Sequence, residues 1–170
     1  MAQKKAHEVD SWLAKPDPAI SIVLVYGPDR GLVAERAALF VERAGLDAND
    51  PFSSLRVDAA ELEASPGRLL DEAATVPMFS ARRLIWVKGA GAHKQLAAEV
   101  KALVAEPPRD SLVVIEAGEL KKGAALRTAV EGGAGAMALP CYVDEGKAID
   151  AVIDGIVARE GLAIGLEARQ

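Results

Sequence analysis

Short, wholly apolar segments alternate with amphipathic helical segments along most of this chain, and this alternation limits its possible folds. The clearest apolar runs lie at 22–26, 84–87 and 112–115. They show no polar alternation, which is typical of strands buried on both faces of a sheet. Parallel neighbours require crossover connections, which are usually helices. The pattern therefore predicts an α/β protein with a mostly parallel sheet and helices on both faces.

Two weaker strand patterns bring the predicted sheet to five strands. They lie at 52–57 and 136–143. Pro140 favours an edge position for the last strand, because proline has no N–H to donate to a neighbouring strand. The strand at 52–57 is followed by a predicted helix, with Ser65 as its N-cap and Pro66 at its first position.

The chain is expected to contain one α/β domain and part of a second unit. It has 170 residues, of which 51% are hydrophobic, and can bury a substantial core. We assign 1–19 to a lead-in with a short helix and 20–145 to the α/β domain. We assign 146–170 to a helix and the start of a truncated helical domain, because an amphipathic pattern begins after Asp144 and ends near Gly161.

Charge and cysteine content argue against several functional classes. The formal net charge is -5 at pH 7, so any contact with DNA is expected to be local or made by partners. The single cysteine, Cys141, cannot form an internal disulfide, and no cluster of cysteine and histidine has metal-ligand spacing. No segment has the pattern of a secretion signal or of a membrane span. We therefore expect a cytoplasmic protein that uses no metal or other cofactor.

The segment after the first predicted strand has the frame of a phosphate-binding loop without the residues that bind phosphate. A turn opens at Gly27, closes at Gly31, and leads into a helix. In the pattern G-x-x-x-x-G-K-[ST], the second glycine admits the phosphate, the lysine neutralises it, and the hydroxyl binds magnesium. Counted from Gly27, these three positions hold Leu32, Val33 and Ala34. The loop is therefore predicted to be a degenerate nucleotide site.

The acidic residues that would hold magnesium are also missing from the strand where they are expected. In P-loop ATPases the metal is held by an aspartate at the end of a strand. The third predicted strand is followed by Lys88 and Gly89 instead. The fourth ends in one acid, Glu116, with no lysine or hydroxyl partner in the loop. Because two catalytic elements fail together, nucleotide hydrolysis is not expected.

Other interpretations of this region stay open from the residues alone. An ordinary connection between a strand and a helix can carry glycine and proline for structural reasons only. An atypical ATPase or phosphotransferase would use Arg30 in place of the lysine, although Arg30 lies inside the turn rather than at the helix start. A ligand-sensing α/β domain would bind a small molecule at the carboxyl ends of the strands.

A second candidate site precedes the third predicted strand and places two large apolar side chains beside a proline. Met78 and Phe79 are either core residues or an exposed apolar anchor for a partner, since methionine and aromatic side chains are favoured in partner pockets. Pro77 would stiffen the turn. Arg82 and Arg83 would then form a polar rim, or simply a solvated strand start.

Three segments carry a family resemblance. They read VLVYGPDRGLVAERAALF at 23–40, VPMFSARRLIWVKG at 76–89 and SLVVIEAGELKKGAALRTAV at 111–130. In this order and spacing they resemble the delta subunit of the bacterial DNA polymerase III clamp loader. The resemblance implies a P-loop NTPase-like fold of the RecA/AAA+ type with no working nucleotide site, and a subunit that is not catalytic by itself. It also implies that other clamp-loader subunits bind through domains absent from this chain.

The resemblance also implies a partner site. In that family, a short loop with an apolar pair binds the ring-shaped sliding clamp, which is the beta subunit, and helps to open it. The corresponding residues of this chain are Val76, Pro77, Met78, Phe79 and Ser80. The chain departs from the family pattern at two positions. It has Met78 where the family has leucine before the phenylalanine, and it has Ala74 where the family has a glutamine further upstream.

Overall fold

The computed structural model describes residues 8–51, 53–76 and 82–142. The strands in these ranges are β1 (Ile22–Tyr26), β2 (Ser54–Asp58), β3 (Arg83–Ala90), β4 (Ser111–Ala117) and β5 (Ala136–Pro140). They form one five-stranded sheet in the order β2-β3-β4-β1-β5, and all the pairings are parallel. The predicted α/β class and parallel sheet are confirmed. All strands begin at one edge, called here the amino edge, and end at the opposite carboxyl edge.

The helices within the described residues cover both faces of the sheet. They are α1 (Val9–Ala14), α2 (Arg30–Arg43), α3 (Ala59–Ala64), α4 (Arg68–Ala74), α5 (Lys94–Ala105) and α6 (Ala125–Glu131). Buried residues of α1 and α2 form one core cluster with one face of the sheet. Buried residues of α3 to α6 form the second cluster with the other face. The prediction of helices on both faces is therefore confirmed, and the short helix expected in the lead-in is present as α1.

The first strand and the edge strand follow the sequence prediction. All five residues of β1 are fully buried. This strand lies between β4 and β5, which places β5 at an edge of the sheet and Pro140 opposite Tyr26. The edge position predicted from Pro140 is confirmed. The residues from 143 onward, including the helix predicted after Asp144 and the assignment of 146–170, lie outside the described residues.

Several strand boundaries differ from the prediction, and β5 ends at Pro140 rather than at 143. The second strand begins at Ser54 rather than at 52, because the Ser54 N–H donates to the Asp50 carbonyl in a turn at 2.9 Å. The third strand continues to Ala90 rather than ending at Val87. Lys88 remains in the strand because it pairs with Asp58 of β2, and its Nζ lies over the ring of Trp86, 4.9 Å from the ring centroid, which keeps the charge at the surface.

The predicted helix start at Ser65 and Pro66 is wrong. A helix already begins directly after β2, because the Asp58 carboxylate accepts a hydrogen bond from the Ala60 N–H at 2.9 Å and caps α3. Ser65 is the C-cap of this helix. Pro66 follows, and Gly67 has a left-handed backbone with φ of 89° before α4 begins. The predicted helix is α4, which begins at Arg68 rather than at Pro66, and α3 was not predicted.

Candidate functional site

The connection between β1 and α2 is too short to surround a phosphate group. Three residues, 27–29, separate Tyr26 from Arg30, where α2 begins. A phosphate-binding loop has four residues between its two glycines, and their N–H groups cradle the phosphate. Here Leu32, Val33 and Ala34 lie inside the helix instead. The strand, turn and helix occur as predicted, but the turn is tight.

A carboxylate of the chain occupies the start of α2. The Leu32 N–H donates to Asp29 Oδ1 at 3.1 Å, and the Val33 N–H donates to the Asp29 carbonyl at 3.0 Å. The free N–H groups of a helix start are what binds phosphate in nucleotide sites. Asp29 satisfies one of them and adds a negative charge at the position where a phosphate would lie. Phosphate binding here is disfavoured on both counts.

The turn is also closed by its neighbours. Gly27 is buried, and its N–H donates to the Gly118 carbonyl at 3.2 Å. On the other side, the Cys141 carbonyl lies so close to Gly27 that a Cβ on this glycine would overlap it. Val33, which stands where the pattern has lysine, is 2% exposed and packs in the core. The turn therefore offers neither an open backbone nor a cation at the position of the lysine.

The cleft beside this turn is small and holds an acid that is already paired. Its volume is about 260 Å³, and Arg30, Val33 and Glu116 are among its lining residues. Pockets that hold drug-sized ligands measure roughly 300–1,000 Å³. The Glu116 carboxylate accepts a hydrogen bond from Trp86 Nε1, and Lys88 Nζ lies 4.0 Å from it. Glu116 is therefore bound to the neighbouring strand β3 rather than to a residue of the turn.

The start of α5, at the same carboxyl edge, is also occupied by a carboxylate. Glu63 accepts hydrogen bonds from the Gln95 N–H at 3.1 Å and from the Leu96 N–H at 2.9 Å. These two backbone hydrogen bonds, in this order, lower the pKa of Glu63. Sequence reasoning missed this cap because Glu63 lies 32 residues from Gln95 in the chain. The two longest helices of the described residues, α2 and α5, thus both begin on internal carboxylates.

Metal and membrane features are also missing from 8–51, 53–76 and 82–142. Within those ranges, no group of three or more histidine, cysteine, aspartate or glutamate side chains could hold a metal ion. The helices of the same ranges include none with the length and apolar character needed to cross a membrane. His93 has a local structural contact, since its Nδ1 accepts from the Gly91 N–H at 3.1 Å.

The segment that contains the predicted partner site enters the sheet where β3 begins, at the amino edge, opposite the Gly27 turn. It belongs to the connection between the end of α4 and the start of β3. Val76 is the one member of the site within the described residues, while Pro77, Met78, Phe79 and Ser80 lie outside them. Val76 is 68% exposed. Among the large apolar residues that the structure describes, it alone is exposed. The exposure of Met78 and Phe79 stays a prediction.

Arg83 does not form part of a polar rim. Its Nη1 donates to the Glu72 carbonyl at 2.8 Å and forms a salt bridge with the Glu72 carboxylate. The Arg83 side chain is only 16% exposed. The expectation of a solvated strand start is therefore wrong for Arg83, because a carboxylate on α4 lies within reach. Arg82 is partly buried, and this burial lowers the pKa of its guanidinium.

Two solved structures with folds similar to this one are a clamp loader delta protein and a DNA polymerase III gamma subunit-related protein. The Bacillus subtilis DNA clamp loader delta protein (YqeN) matches 96% of this chain and 50% of its own, with a TM-score of 0.62 and 19% identity. A DNA polymerase III gamma subunit-related protein from Thermotoga maritima matches 90% of this chain and 52% of its own, with a TM-score of 0.56 and 15% identity. The chain thus has a P-loop NTPase-like α/β fold and spans about half the length of each structure.

The family follows from the sequence itself. The family model for the DNA polymerase III delta subunit matches residues 23–130, which is more than half of the chain. The chain belongs to the DNA polymerase III delta subunit family. No curated protein matches it. The resemblance carried by the three sequence segments is confirmed, and all three segments lie within the matched range.

Proposed function

We propose that this chain is the part of a clamp-loader subunit that binds the sliding clamp, the beta subunit, and helps to open it during DNA replication. The observation that carries this proposal is the delta-family match over 23–130, which includes the connection between α4 and β3. Other clamp-loader subunits would bind through domains outside this chain. Contact with DNA would then be indirect, in keeping with the net charge of -5.

The geometry of the amino edge supports this proposal. Val76 is an exposed apolar side chain, and Met78 and Phe79 follow it two and three residues later. Burying a methionine and a phenylalanine in a clamp pocket contributes on the order of 3 to 6 kcal/mol before association costs. Binding energy of this size can favour an open or strained clamp if the pocket has a higher affinity for that state. The mechanism is differential binding rather than catalysis.

The carboxyl edge supports a role without ATP hydrolysis. Asp29 occupies the helix start, and a buried Val33 stands where the lysine would be. Glu116 is held by Trp86 rather than available to a metal ion. The chain would therefore bind the clamp without nucleotide and leave ATP hydrolysis to other subunits.

Calorimetric titration of the cognate sliding clamp with this chain tests the proposal. We expect binding with the same Kd in the absence and in the presence of millimolar ATP and magnesium. We also expect that ATP and magnesium leave the Tm of the chain unchanged, because a ligand stabilises only a state that it binds. A Tm increase with ATP, together with turnover that is lost in Arg30→Ala, would instead identify an atypical ATPase. Absence of clamp binding under both conditions would overturn the proposal.

A further inference from the structure

Arg83 joins the two ends of the segment that contains the proposed clamp-binding residues. Eight residues, 75–82, separate the end of α4 from the start of β3. Arg83 is the first residue of β3, and it binds both the carbonyl and the carboxylate of Glu72 in the last turns of α4. The chain therefore leaves α4 and returns to β3 within reach of one side chain.

Further hydrogen bonds fix this junction to the sheet. The Arg83 N–H donates to the Asp110 carbonyl at 2.7 Å. The hydroxyl of Ser111, the first residue of β4, donates to the Ala73 carbonyl at 2.9 Å, and Ser111 is fully buried. The end of α4 and the starts of β3 and β4 thus form one hydrogen-bonded unit. Arg83 is the member that connects α4 to β3 through its side chain.

The pair of Arg83 and Glu72 is better shielded from water than the other ion pair of α4. The side chains of Arg83 and Glu72 are 16% and 27% exposed. Those of Arg68 and Glu61 are 38% and 62% exposed, and their charged atoms are 3.7 Å apart. An exposed pair such as Arg68 and Glu61 contributes little to stability. Partial burial and a second hydrogen bond strengthen the pair of Arg83 and Glu72. Arg68 therefore provides a matched control on the same helix.

We propose that Arg83 is a positioning residue for clamp binding. By holding the end of α4 against the start of β3, it restricts the ends of the segment that carries Val76, Met78 and Phe79. A segment whose ends are fixed loses less conformational freedom when it enters a pocket, so a larger fraction is competent to bind. This inference rests on the proposed function, because it concerns the same clamp site.

Association and dissociation rates distinguish positioning from direct contact. The 170-residue chain and its variants would be measured against immobilised cognate clamp by surface plasmon resonance. We expect Arg83→Ala to lower the association rate constant about five- to tenfold, because fewer molecules are binding-competent, with the dissociation rate changed less than about twofold. Met78→Ala/Phe79→Ala should instead raise the dissociation rate. Arg83→Lys should fall between wild type and Arg83→Ala.

The variants also separate failure of this inference from failure of the proposed function. If Arg83→Ala keeps the wild-type association rate while Met78→Ala/Phe79→Ala loses binding, the positioning role is overturned and clamp binding stands. If the wild-type chain does not bind the clamp, the proposed function fails; if it binds and neither variant changes binding, the assigned site fails and the positioning role fails with it. An equal decrease in the control Arg68→Ala also overturns the positioning role. Should Arg83→Ala fold poorly, Glu72→Gln replaces it, since it removes the ion pair but keeps the carbonyl that accepts from Arg83.

Discussion

Replacing Met78 and Phe79 together with alanine is expected to weaken binding of the sliding clamp about 100-fold, because methionine and aromatic anchors of this kind contribute about 2 kcal/mol or more at the centres of interfaces. The two side chains would be the apolar part of the contact that fills a clamp pocket. Calorimetric titration against the cognate clamp measures the change. Arg30→Ala is the control, because Arg30 is exposed at the opposite edge of the sheet and should leave the Kd unchanged.

The free energy of unfolding of the same double variant decides between the two interpretations of this pair. If Met78 and Phe79 are exposed anchors, their replacement changes the free energy of unfolding by less than about 1 kcal/mol. If they are core residues, each truncation costs about 2 to 5 kcal/mol and the domain is severely destabilised. Urea unfolding measures this difference. Unchanged clamp affinity in a folded double variant would contradict the site assignment.

Gly27→Ala is expected to lower the free energy of unfolding by about 2 to 3 kcal/mol, which is the usual effect of forcing atoms into a closely packed site. A Cβ at this position would overlap the carbonyl of Cys141. That carbonyl is part of the main chain, and the Cys141 N–H already donates to the Tyr26 carbonyl at 2.7 Å. The neighbour therefore cannot move without disturbing the pairing of β1. Urea unfolding of the variant provides the measurement.

Gly31→Ala is the matched control for this prediction. Gly31 lies in the first turn of α2, and its Cβ would meet only Asp29 Oδ1, at 3.3 Å. Because the Asp29 side chain is exposed and alanine favours helix, the free energy of unfolding should change by less than about 1 kcal/mol. If Gly27→Ala were as mild as Gly31→Ala, the turn would be more open than described, and its closure would no longer explain the missing nucleotide site.

The strands and their order of burial are predictable from the sequence because the signals are local. Three continuous apolar runs correspond to β1, β3 and β4, and these are the strands with a neighbour on both sides. Pro140 identifies an edge strand because proline has no N–H to donate, and an edge strand has a neighbour on one side only. The substitutions Leu32, Val33 and Ala34 are visible for the same reason, since a motif has a fixed spacing.

The contacts that shape the two edges are harder to predict because they are not local. Glu63 caps a helix that begins after an intervening strand, and Arg83 pairs with Glu72 from the preceding helix. Neither partner can be chosen without knowing the fold. Asp29 was a missed local signal, since an acid three residues before Leu32 is a typical N-cap pattern. Ser65 and Pro66 have the pattern of a helix start, but Ser65 ends α3, which Asp58 caps, and α4 begins only after Gly67.

Hydrogen exchange of the chain with and without its cognate sliding clamp tests the central claim most directly, because the two candidate sites lie at opposite edges of the sheet. If the chain binds the clamp through the segment between α4 and β3, amide exchange slows in 75–83 when the clamp is added. Exchange in 27–34 then stays unchanged, with or without ATP. If exchange instead slows in 27–34 and is unchanged in 75–83, the account is contradicted, and the Gly27 turn is the binding surface.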